Sequence, residues 1–231
     1  MKLIIENLEK KFDKKEVLKN ISFEFENGKI YGLLGRNGAG KTTFFNCLNE
    51  DIDIDGGNFY IIDEKARKVE PEDIGYVTST PNVPEFLTGQ EFIKFFLDIN
   101  KNRLSDLKSI DEYFELIKID YSDRDKLIKD YSHGMKNKMQ MLANIIAKPK
   151  ILLLDEPLTS FDVIVAEEMK NLLKKIKNDH IIIFSTHILE LALDLCDEII
   201  ILNHGIFEEI EDESLKNNEE IKNKIFDALK E

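Results

Sequence analysis

The fold is indicated first by a glycine-rich stretch, Gly35-Arg36-Asn37-Gly38-Ala39-Gly40-Lys41-Thr42, which Thr43 follows. The pattern of Gly, four residues and Gly-Lys-Ser/Thr is that of a phosphate-binding loop. Glycines let the backbone turn successive N–H groups towards an anion, and the helix that follows presents its positive end to the same phosphates. Lys41 supplies a point charge for the outer phosphates, and the Thr42 hydroxyl is a ligand for Mg²⁺. The stretch predicts a nucleoside triphosphate site between a strand at 29–34 and a helix at 43–49.

The composition is that of a soluble globular protein. The 231 residues are 42% hydrophobic and 33% charged, which is enough apolar surface for a sizeable core. No apolar run approaches the roughly 18 to 20 residues that span a bilayer, and the N-terminal apolar stretch is too short for a signal peptide. Cys47 and Cys196 give neither a disulfide framework nor metal-ligand spacing, so we expect small buried side chains in a cytoplasmic protein.

The net charge of −13 restricts the partners. It argues against a nucleic-acid-binding surface and against direct adhesion to anionic lipid heads, since both need clustered positive charge. We interpret most of this acidity as a solvated surface that aids solubility. Any contact with a membrane is therefore expected to come through a partner protein.

Apolar patterning predicts an α/β fold. The first third is rich in short strand candidates and glycine turns, with strands expected at 3–8, 21–26, 58–62 and 74–77, a hairpin turn at Asn27-Gly28 and another turn at Gly56-Gly57. The middle has apolar residues at helical spacing, most clearly over 90–97 and 111–119. The last part alternates unbroken apolar runs with amphipathic helices, the pattern of a parallel sheet, with strands at 151–154, 181–184 and 199–202 and helices at 163–177 and 188–195.

These segments suggest one domain over 1–231. Its phosphate-loop NTPase core has a parallel sheet and comprises 1–84 and 149–205, with an antiparallel β subdomain at the N-terminus. A helical subdomain is inserted over about 85–148. The segment 206–231 is expected to be a peripheral tail that is charged and helical in character from Glu208.

Two further polar motifs accompany the phosphate loop. Asp155-Glu156 ends a buried strand, which is where nucleotide sites lie in parallel sheets. Asp155 would then help to hold Mg²⁺ and Glu156 would deprotonate the attacking water, although two acidic residues at that position also serve as a helix cap. Ser132, in Tyr131-Ser132-His133-Gly134-Met135, caps a helix whose free N–H groups suit an anion.

In this order the motifs resemble those of the ATP-binding cassette ATPases, the nucleotide-binding subunits of ABC transporters. Tyr131 to Lys136 looks like the signature motif and Asp155-Glu156-Pro157 like the Walker B end. Thr159-Ser160-Phe161-Asp162 occupies the D-loop position, and Ser185-Thr186-His187 the switch-histidine position. Phe12 stands where the family has an aromatic residue that stacks on adenine. The resemblance extends to about Gly205.

The resemblance implies a composite site that hydrolyses ATP with Mg²⁺. Two cassettes would pair head to tail, as a homodimer or a heterodimer, so that Ser132, His133 and Gly134 of one close over ATP held by the other. His187 would sense the γ-phosphate, and Asp162 would couple the two sites. A capping role is the alternative for both side chains.

Three positions depart from the family pattern. His133 replaces the usual glycine of the signature motif, and Phe161 replaces a leucine. Ser79 stands nearest to a position at which the family has a glutamine that touches Mg²⁺, and a serine is too short for the same contact.

The leading functional hypothesis is the energy subunit of a separate transmembrane permease, held at the inner face of the membrane by that partner. The Ser-His-Gly-Met-Lys signature looks most like cassettes of bacterial exporters of drugs or peptides or of immunity systems. One alternative is a soluble ABC ATPase that acts on a cytoplasmic assembly. Another is a nucleotide-binding regulator that does not hydrolyse, which the presence of Glu156 and His187 opposes.

Overall fold

The computed structural model describes residues 1–102, 107–158, 161 and 163–209. These residues form ten strands: β1 (Lys2–Phe12), β2 (Lys15–Glu26), β3 (Ile30–Leu34), β4 (Gly56–Ile62), β5 (Ala66–Lys68), β6 (Ile74–Val77), β7 (Ile151–Asp155), β8 (Ile181–Thr186), β9 (Glu198–Asn203) and β10 (Ile206–Glu209). They also form six α-helices: α1 (Lys41–Leu48), α2 (Gly89–Asn100), α3 (Ile110–Ile117), α4 (His133–Ala147), α5 (Val163–Ile176) and α6 (Leu189–Leu195).

The strands make two sheets. The first is antiparallel and has the order β2-β1-β4-β5, and the second has the order β10-β9-β3-β8-β7-β6. In the second sheet every neighbouring pair is parallel except β10 with β9. The fold therefore confirms the predicted α/β class, with an N-terminal antiparallel sheet and a parallel core.

Three hydrophobic clusters hold these layers together. The first joins the antiparallel sheet to α1 and one face of the parallel sheet, and the second packs α5 and α6 on the other face. The third lies within the helices inserted between β6 and β7, where α2, α3 and α4 pack on one another. Because β3, β7 and β8 are buried along their whole length, their sequences are almost wholly apolar up to the carboxyl ends, where Asp155 ends β7 and Ser185 and Thr186 end β8.

The inserted helices begin at residues that cap them. Thr88 and Ser109 each accept a hydrogen bond from the N–H of the glutamate three residues on, whose carboxylate accepts one in return. These two capping boxes fix the starts of α2 and α3. Among the described residues no helix combines the length and the apolar character needed to cross a membrane.

The structure corrects two local predictions. Asn27-Gly28 does not form a hairpin, since β2 and β3 belong to different sheets. The tight turn lies instead between β1 and β2, where Phe12 pairs with Lys15 and Asp13 has a φ of 52°. Gly56-Gly57 is not a turn but the start of β4, at an irregularity in its pairing with β1.

The predicted tail from 206 begins with a strand. Residues Ile206–Glu209 pair antiparallel with β9. Both residues of the connecting turn have positive φ, 47° at His204 and 84° at Gly205, as a two-residue hairpin requires. Glu208 therefore lies in an edge strand, and the rest of the predicted tail lies outside the described residues. The assignment of 1–231 to a single domain stays a prediction.

Candidate nucleotide site

The glycine-rich loop follows β3, which lies between β8 and β9 in the parallel sheet. The loop therefore leaves the carboxyl edge of the sheet, and α1 begins immediately after it. Gly38 and Gly40 have φ values of 83° and 111°, which favour glycine. A Cβ at Gly40 would also lie 3.1 Å from Cγ1 of Val17, so the loop passes close to β2.

Lys41 is the first residue of α1 and is 5% exposed. Its ammonium group donates hydrogen bonds to the carbonyl oxygens of Gly35, at 2.7 Å, and Arg36, at 3.2 Å. Its Nζ lies 3.5 Å from Oε1 of Glu156. Burial lowers the pKa of Lys41, and the Glu156 carboxylate opposes that shift. The loop thus holds a poorly solvated cation, which an incoming anion would stabilise.

Thr42 and Asp155 meet at the same edge of the sheet. The Thr42 hydroxyl donates to Oδ2 of Asp155 at 2.7 Å, and the Ser185 hydroxyl donates to Oδ1 at 2.6 Å. Asp155 is only 3% exposed. A hydroxyl and a carboxylate that converge in this way are the hard oxygen ligands that Mg²⁺ prefers, so the residues present fit that ion.

Ser185 was not predicted as a site residue by itself. It pairs with Asp155 across β7 and β8, and its hydroxyl also accepts a hydrogen bond from the N–H of Glu156 at 3.0 Å. This serine therefore orients both acidic residues. The signal in the sequence was its position two residues before His187, at the end of a buried strand.

Glu156 and His187 lie next to each other beyond the ends of β7 and β8. Oε1 of Glu156 is 3.1 Å from Nδ1 of His187. The backbone of Glu156 has a φ of 49°, a sparsely populated conformation for a residue with a side chain. Backbone strain of this kind occurs where the surrounding structure holds a residue in place.

Residues of the phosphate loop, the start of α1, Asp155 and Glu156 border one cavity of about 430 Å³, which the predicted site residues Gly35, Ala39 and His187 do not line. It is lined by three residues of the N-terminal hairpin, six of the phosphate loop and the start of α1, and three from the ends of β6 and β7: Phe12, Lys15, Val17, Asn37, Gly38, Gly40, Lys41, Thr42, Thr43, Ser79, Asp155 and Glu156. Lys15 and Val17 were not predicted, because nothing in their local sequence marks them.

Phe12 lies at the rim of the cavity, and its side chain is about half exposed. Nζ of Lys10 stands over its ring, 5.3 Å from the centroid, and donates to the backbone oxygen of Asp53 at 2.6 Å. A lysine over an aromatic ring is a favourable cation–π contact. An aromatic surface is thus held beside the phosphate loop.

The predicted signature residues lie at the start of α4. Ser132 caps the helix by accepting a hydrogen bond from the N–H of Met135 at 3.2 Å. Nδ1 of His133 is 3.4 Å from the side-chain amide nitrogen of Asn137, and Gly134 faces the ring of Phe161. None of these three predicted residues is among the described residues that line the cavity. Asp162, predicted at the D-loop, lies outside the described residues, as do Thr159 and Ser160.

The loop, the paired oxygens of Thr42 and Asp155, and the Glu156–His187 pair define a phosphate-loop nucleotide hydrolase site. A family model described as ABC transporter matches residues 18–159. The chain belongs to the ABC transporter family and is an ATP-binding cassette ATPase.

Relatives of the chain carry names of the same kind. An uncharacterized ABC transporter ATP-binding protein of Bacillus subtilis, YdbJ, is 33% identical over 88% of this chain and 67% of its own length. One from Methanocaldococcus jannaschii is 36% identical over 88% of this chain and 75% of its length. An Fe(3+) ions import ATP-binding protein of Fusobacterium nucleatum is 29% identical over 87% of this chain and 55% of its length.

Solved structures share the fold. A structure described as the ATP-binding subunit of an ABC transporter has a TM-score of 0.81 and 20% identity, with all of both chains covered. A dimeric ATP-binding cassette, described as a post-hydrolysis state bound to ADP and Pi, has a TM-score of 0.75 and 22% identity. It covers 90% of this chain and 97% of that one.

Proposed function

We propose that the chain binds and hydrolyses ATP in the cavity beside β3 and thereby drives a separate transmembrane permease. This proposal rests on three features that converge at one edge of the sheet. They are the buried Lys41, the oxygen atoms of Thr42 and Asp155, which suit Mg²⁺, and the Glu156–His187 pair. Each group suits one requirement of phosphoryl transfer to water.

The phosphate groups are assigned to the loop. The phosphates would be bound by the backbone N–H groups of Gly35–Gly40, a range that includes Asn37 and Ala39, and by that of Thr43. Lys41 would supply the positive charge that neutralises the β- and γ-phosphates. The side chain of Phe12 would stack on the adenine ring, because it stands exposed at the rim of the same cavity.

Thr42 and Asp155 are the proposed ligands of Mg²⁺. When bound, the ion neutralises negative charge that develops on the phosphate oxygens. Ser185 keeps the Asp155 carboxylate in place through its own hydrogen bond. This assignment leaves Glu156 outside the metal site and available to accept a proton.

Glu156 is the proposed general base. Its carboxylate would take a proton from the water that attacks the γ-phosphate, and His187 would hold the same carboxylate and contact the γ-phosphate. Nδ1 of His187 lies at hydrogen-bonding distance from Glu156, so the two side chains act on one water position.

A second cassette is proposed to complete the site. Ser132, His133 and Gly134 would then approach the γ-phosphate from the partner, with Asp162 at the contact between the two sites. The free N–H groups at the start of α4 support this role, since a helix N-terminus stabilises an anion. A structural relative is described as a dimer bound to ADP and Pi, which supports the pairing of two cassettes.

The permease is proposed to contact the inserted helices. Phe86 and Phe95 lie 78% and 54% exposed on this part of the molecule, whereas Phe92, in the same helix as Phe95, is buried in the third hydrophobic cluster. Exposed aromatic side chains of this size support an interaction surface on the inserted helices.

The proposal is tested by capture of the permease from the native cell. The tagged Glu156→Gln variant, solubilised gently with ATP and Mg²⁺, should co-purify with a polytopic membrane protein. Phe86→Ser combined with Phe95→Ser should abolish that capture, while Ile206→Ser, at an exposed apolar residue on β10, should retain it. Capture of soluble partners alone, with the chain absent from membranes, would instead support an ATPase of a cytoplasmic assembly.

Export is the proposed direction of transport, because the signature segment resembles that of exporter cassettes. Relatives named for import of Fe(3+) or of sulfate and thiosulfate match at 29% and 32% identity, so the proposal of export rests on the signature segment and not on these relatives. A cell without the chain should become more sensitive to toxic drugs or peptides. A new requirement for a scarce nutrient, without such sensitivity, would show import.

A further inference from the structure

Gln140 occupies a position on α4 between the predicted signature residues and the parallel sheet. It is 6% exposed, and its side chain faces the segment that follows β6. Its Nε2 donates a hydrogen bond of 2.9 Å to the hydroxyl of Thr78, which is the first residue after β6. A buried polar contact thus joins the signature helix to the edge of the sheet.

The contact continues along the chain. The Thr78 hydroxyl donates at 2.7 Å to the backbone oxygen of Thr80. Because this bond uses the only proton of the hydroxyl, its oxygen must accept from Gln140, which fixes the orientation of the Gln140 amide. Two hydrogen bonds in series therefore constrain the backbone on both sides of Ser79.

Ser79 is the residue of this segment that lines the nucleotide cavity. The sheet register pairs Val77 with Leu154, so that Thr78 and Asp155 leave the sheet side by side. Any displacement of the segment 78–80 therefore changes the wall of the cavity next to Asp155 and Glu156.

Folding stability alone does not explain why residue 140 is a glutamine. Among the described residues, no hydrogen-bond donor reaches the buried Oε1 of Gln140. A methionine would fill the same space and leave no unsatisfied oxygen, and replacing both members of a buried polar pair by apolar isosteres is often neutral. Because an apolar side chain would be at least as stable here, the glutamine at position 140 suggests a role in the nucleotide site.

The backbones of α4 and β6 also approach closely at this level. A Cβ on Gly75 would lie 2.5 Å from Oδ1 of Asn144, one turn along α4 from Gln140. The side-chain amide of Asn144 donates to the backbone oxygen of Gln140 at 2.9 Å. Helix α4 therefore packs closely on β6, and a shift of the helix would also move Thr78.

We propose that Gln140 is a positioning residue for ATP hydrolysis, which fixes the segment 78–80, and with it Ser79, against the nucleotide cavity. Through this bond the position of the signature helix determines the geometry of the cavity wall beside Glu156. The inference deepens the proposed function and rests on the catalytic role assigned there to Glu156.

Steady-state ATP hydrolysis by the purified full chain tests this role. Gln140→Met and Thr78→Val each remove the contact with little change in volume, and each should lower kcat about three- to tenfold, the usual effect of one lost hydrogen bond. The KM for ATP and the affinity for a fluorescent ATP analogue should stay within about twofold, because the phosphate loop is untouched. Thr78→Ser keeps the hydroxyl and should restore kcat.

The double variant, Gln140→Met with Thr78→Val, should be no slower than Thr78→Val, because Thr78→Val already removes the bond to Gln140 as well as the bond to Thr80. Ile146→Val, a core substitution in the same helix, should lower thermal stability without changing kcat. The inference would be overturned by an unchanged kcat in Gln140→Met or in Thr78→Val, by multiplicative effects in the double variant, or by a Thr78→Ser variant as slow as Thr78→Val.

Two other outcomes of these experiments have a different meaning. If Gln140→Met does not fold, Gln140→Leu takes its place, because Thr78→Val also removes the bond to Thr80 and does not test Gln140 alone. If Glu156→Gln hydrolyses ATP as fast as the wild-type chain, the catalytic assignment of the proposed function is wrong, whereas the effect of Thr78 on kcat is measured independently of it.

Discussion

Oε1 of Glu156 lies 3.1 Å from Nδ1 of His187 and 3.5 Å from Nζ of Lys41. The carboxylate is thus placed between a lysine that suits phosphate and a histidine that follows the neighbouring strand β8. Three segments that are far apart in the sequence meet at this carboxylate because β3, β7 and β8 are adjacent and parallel. A water held between them and the γ-phosphate would have a proton acceptor on one side.

The first prediction concerns this carboxylate. Glu156→Gln should lower the rate of ATP hydrolysis at least about 100-fold, since an amide cannot accept the proton and general bases contribute about 10²- to 10⁴-fold. ATP binding should persist, because the loop and Lys41 are unchanged. Phosphate release and a nucleotide-binding assay on the same preparation measure the two effects.

Glu168 on α5 provides a matched control. Its side chain is 23% exposed, close to the 21% of Glu156, and it is also paired with a lysine, Lys118, at 2.8 Å. Glu168→Gln should leave hydrolysis within about twofold of the wild-type rate, as expected of a surface ion pair. Equal rates for the two variants would refute the assignment of Glu156 as the base.

A second prediction concerns adenine recognition by Phe12. Phe12→Ala should weaken ATP binding about 5- to 150-fold, since stacking of a base on an aromatic ring contributes roughly 1–3 kcal/mol. Phe12→Tyr should bind ATP almost normally. Competition by inorganic tripolyphosphate supplies the control: its affinity should be the same in all three proteins, because it has no base. A parallel loss of tripolyphosphate binding would place the defect in the loop instead.

A third prediction concerns pH and the buried His180. Its Nδ1 lies 2.5 Å from the backbone oxygen of Pro149, and because a carbonyl only accepts, Nδ1 carries the proton. Burial lowers the pKa of His180 below its ordinary value of 6.5, so the native state keeps the ring neutral where the unfolded chain binds a proton. This contribution to stability is complete above pH 6.5 and is lost as the pH falls from 6.5 towards the folded-state pKa.

His180→Asn should retain the hydrogen bond to Pro149 without the titration. Urea unfolding of both proteins between pH 7.5 and 5 measures the effect, since the free energy of unfolding of the wild type should fall more steeply, by up to about 1.4 kcal/mol per pH unit. Parallel pH curves for the two proteins would show that His180 is not neutral in the folded chain.

Much of the fold could be predicted because several of its strands have one-sided or fully apolar patterns. Ile151 to Leu154 and Ile181 to Phe184 are buried on both faces, and no helix period explains such runs. The turn at Asp13 could not be found in this way, because an aspartate with positive φ gives a weaker signal than Asn-Gly. Strand β10 was missed because its apolar pattern is short and its pairing with β9 is a tertiary property.

The site residues likewise fall into those that a local motif predicts and those that only the folded structure brings together. Lys41, Thr42 and Asp155 belong to local motifs whose chemistry can be stated from residue type and spacing. Ser185 and Gln140 act through hydrogen bonds to residues 30 and 62 positions away, Asp155 and Thr78. Such contacts depend on which strands are neighbours and in which register, and a single sequence does not specify the register of a parallel sheet.

The last prediction concerns the packing of α6 on the central strand. A Cβ added at Gly32 in β3 would lie 2.8 Å from Sγ of Cys196, so Gly32→Ala must displace the end of α6. We expect a loss of about 1–3 kcal/mol in the free energy of unfolding, typical of an overpacked core. Cys196→Ala removes that sulfur atom and leaves Cβ of residue 196 at 3.3 Å. The double variant should therefore recover part of the stability lost in Gly32→Ala, and urea unfolding of the four proteins as a cycle would measure the coupling. Additive losses would show that Gly32 is needed for a reason other than the approach of Cys196.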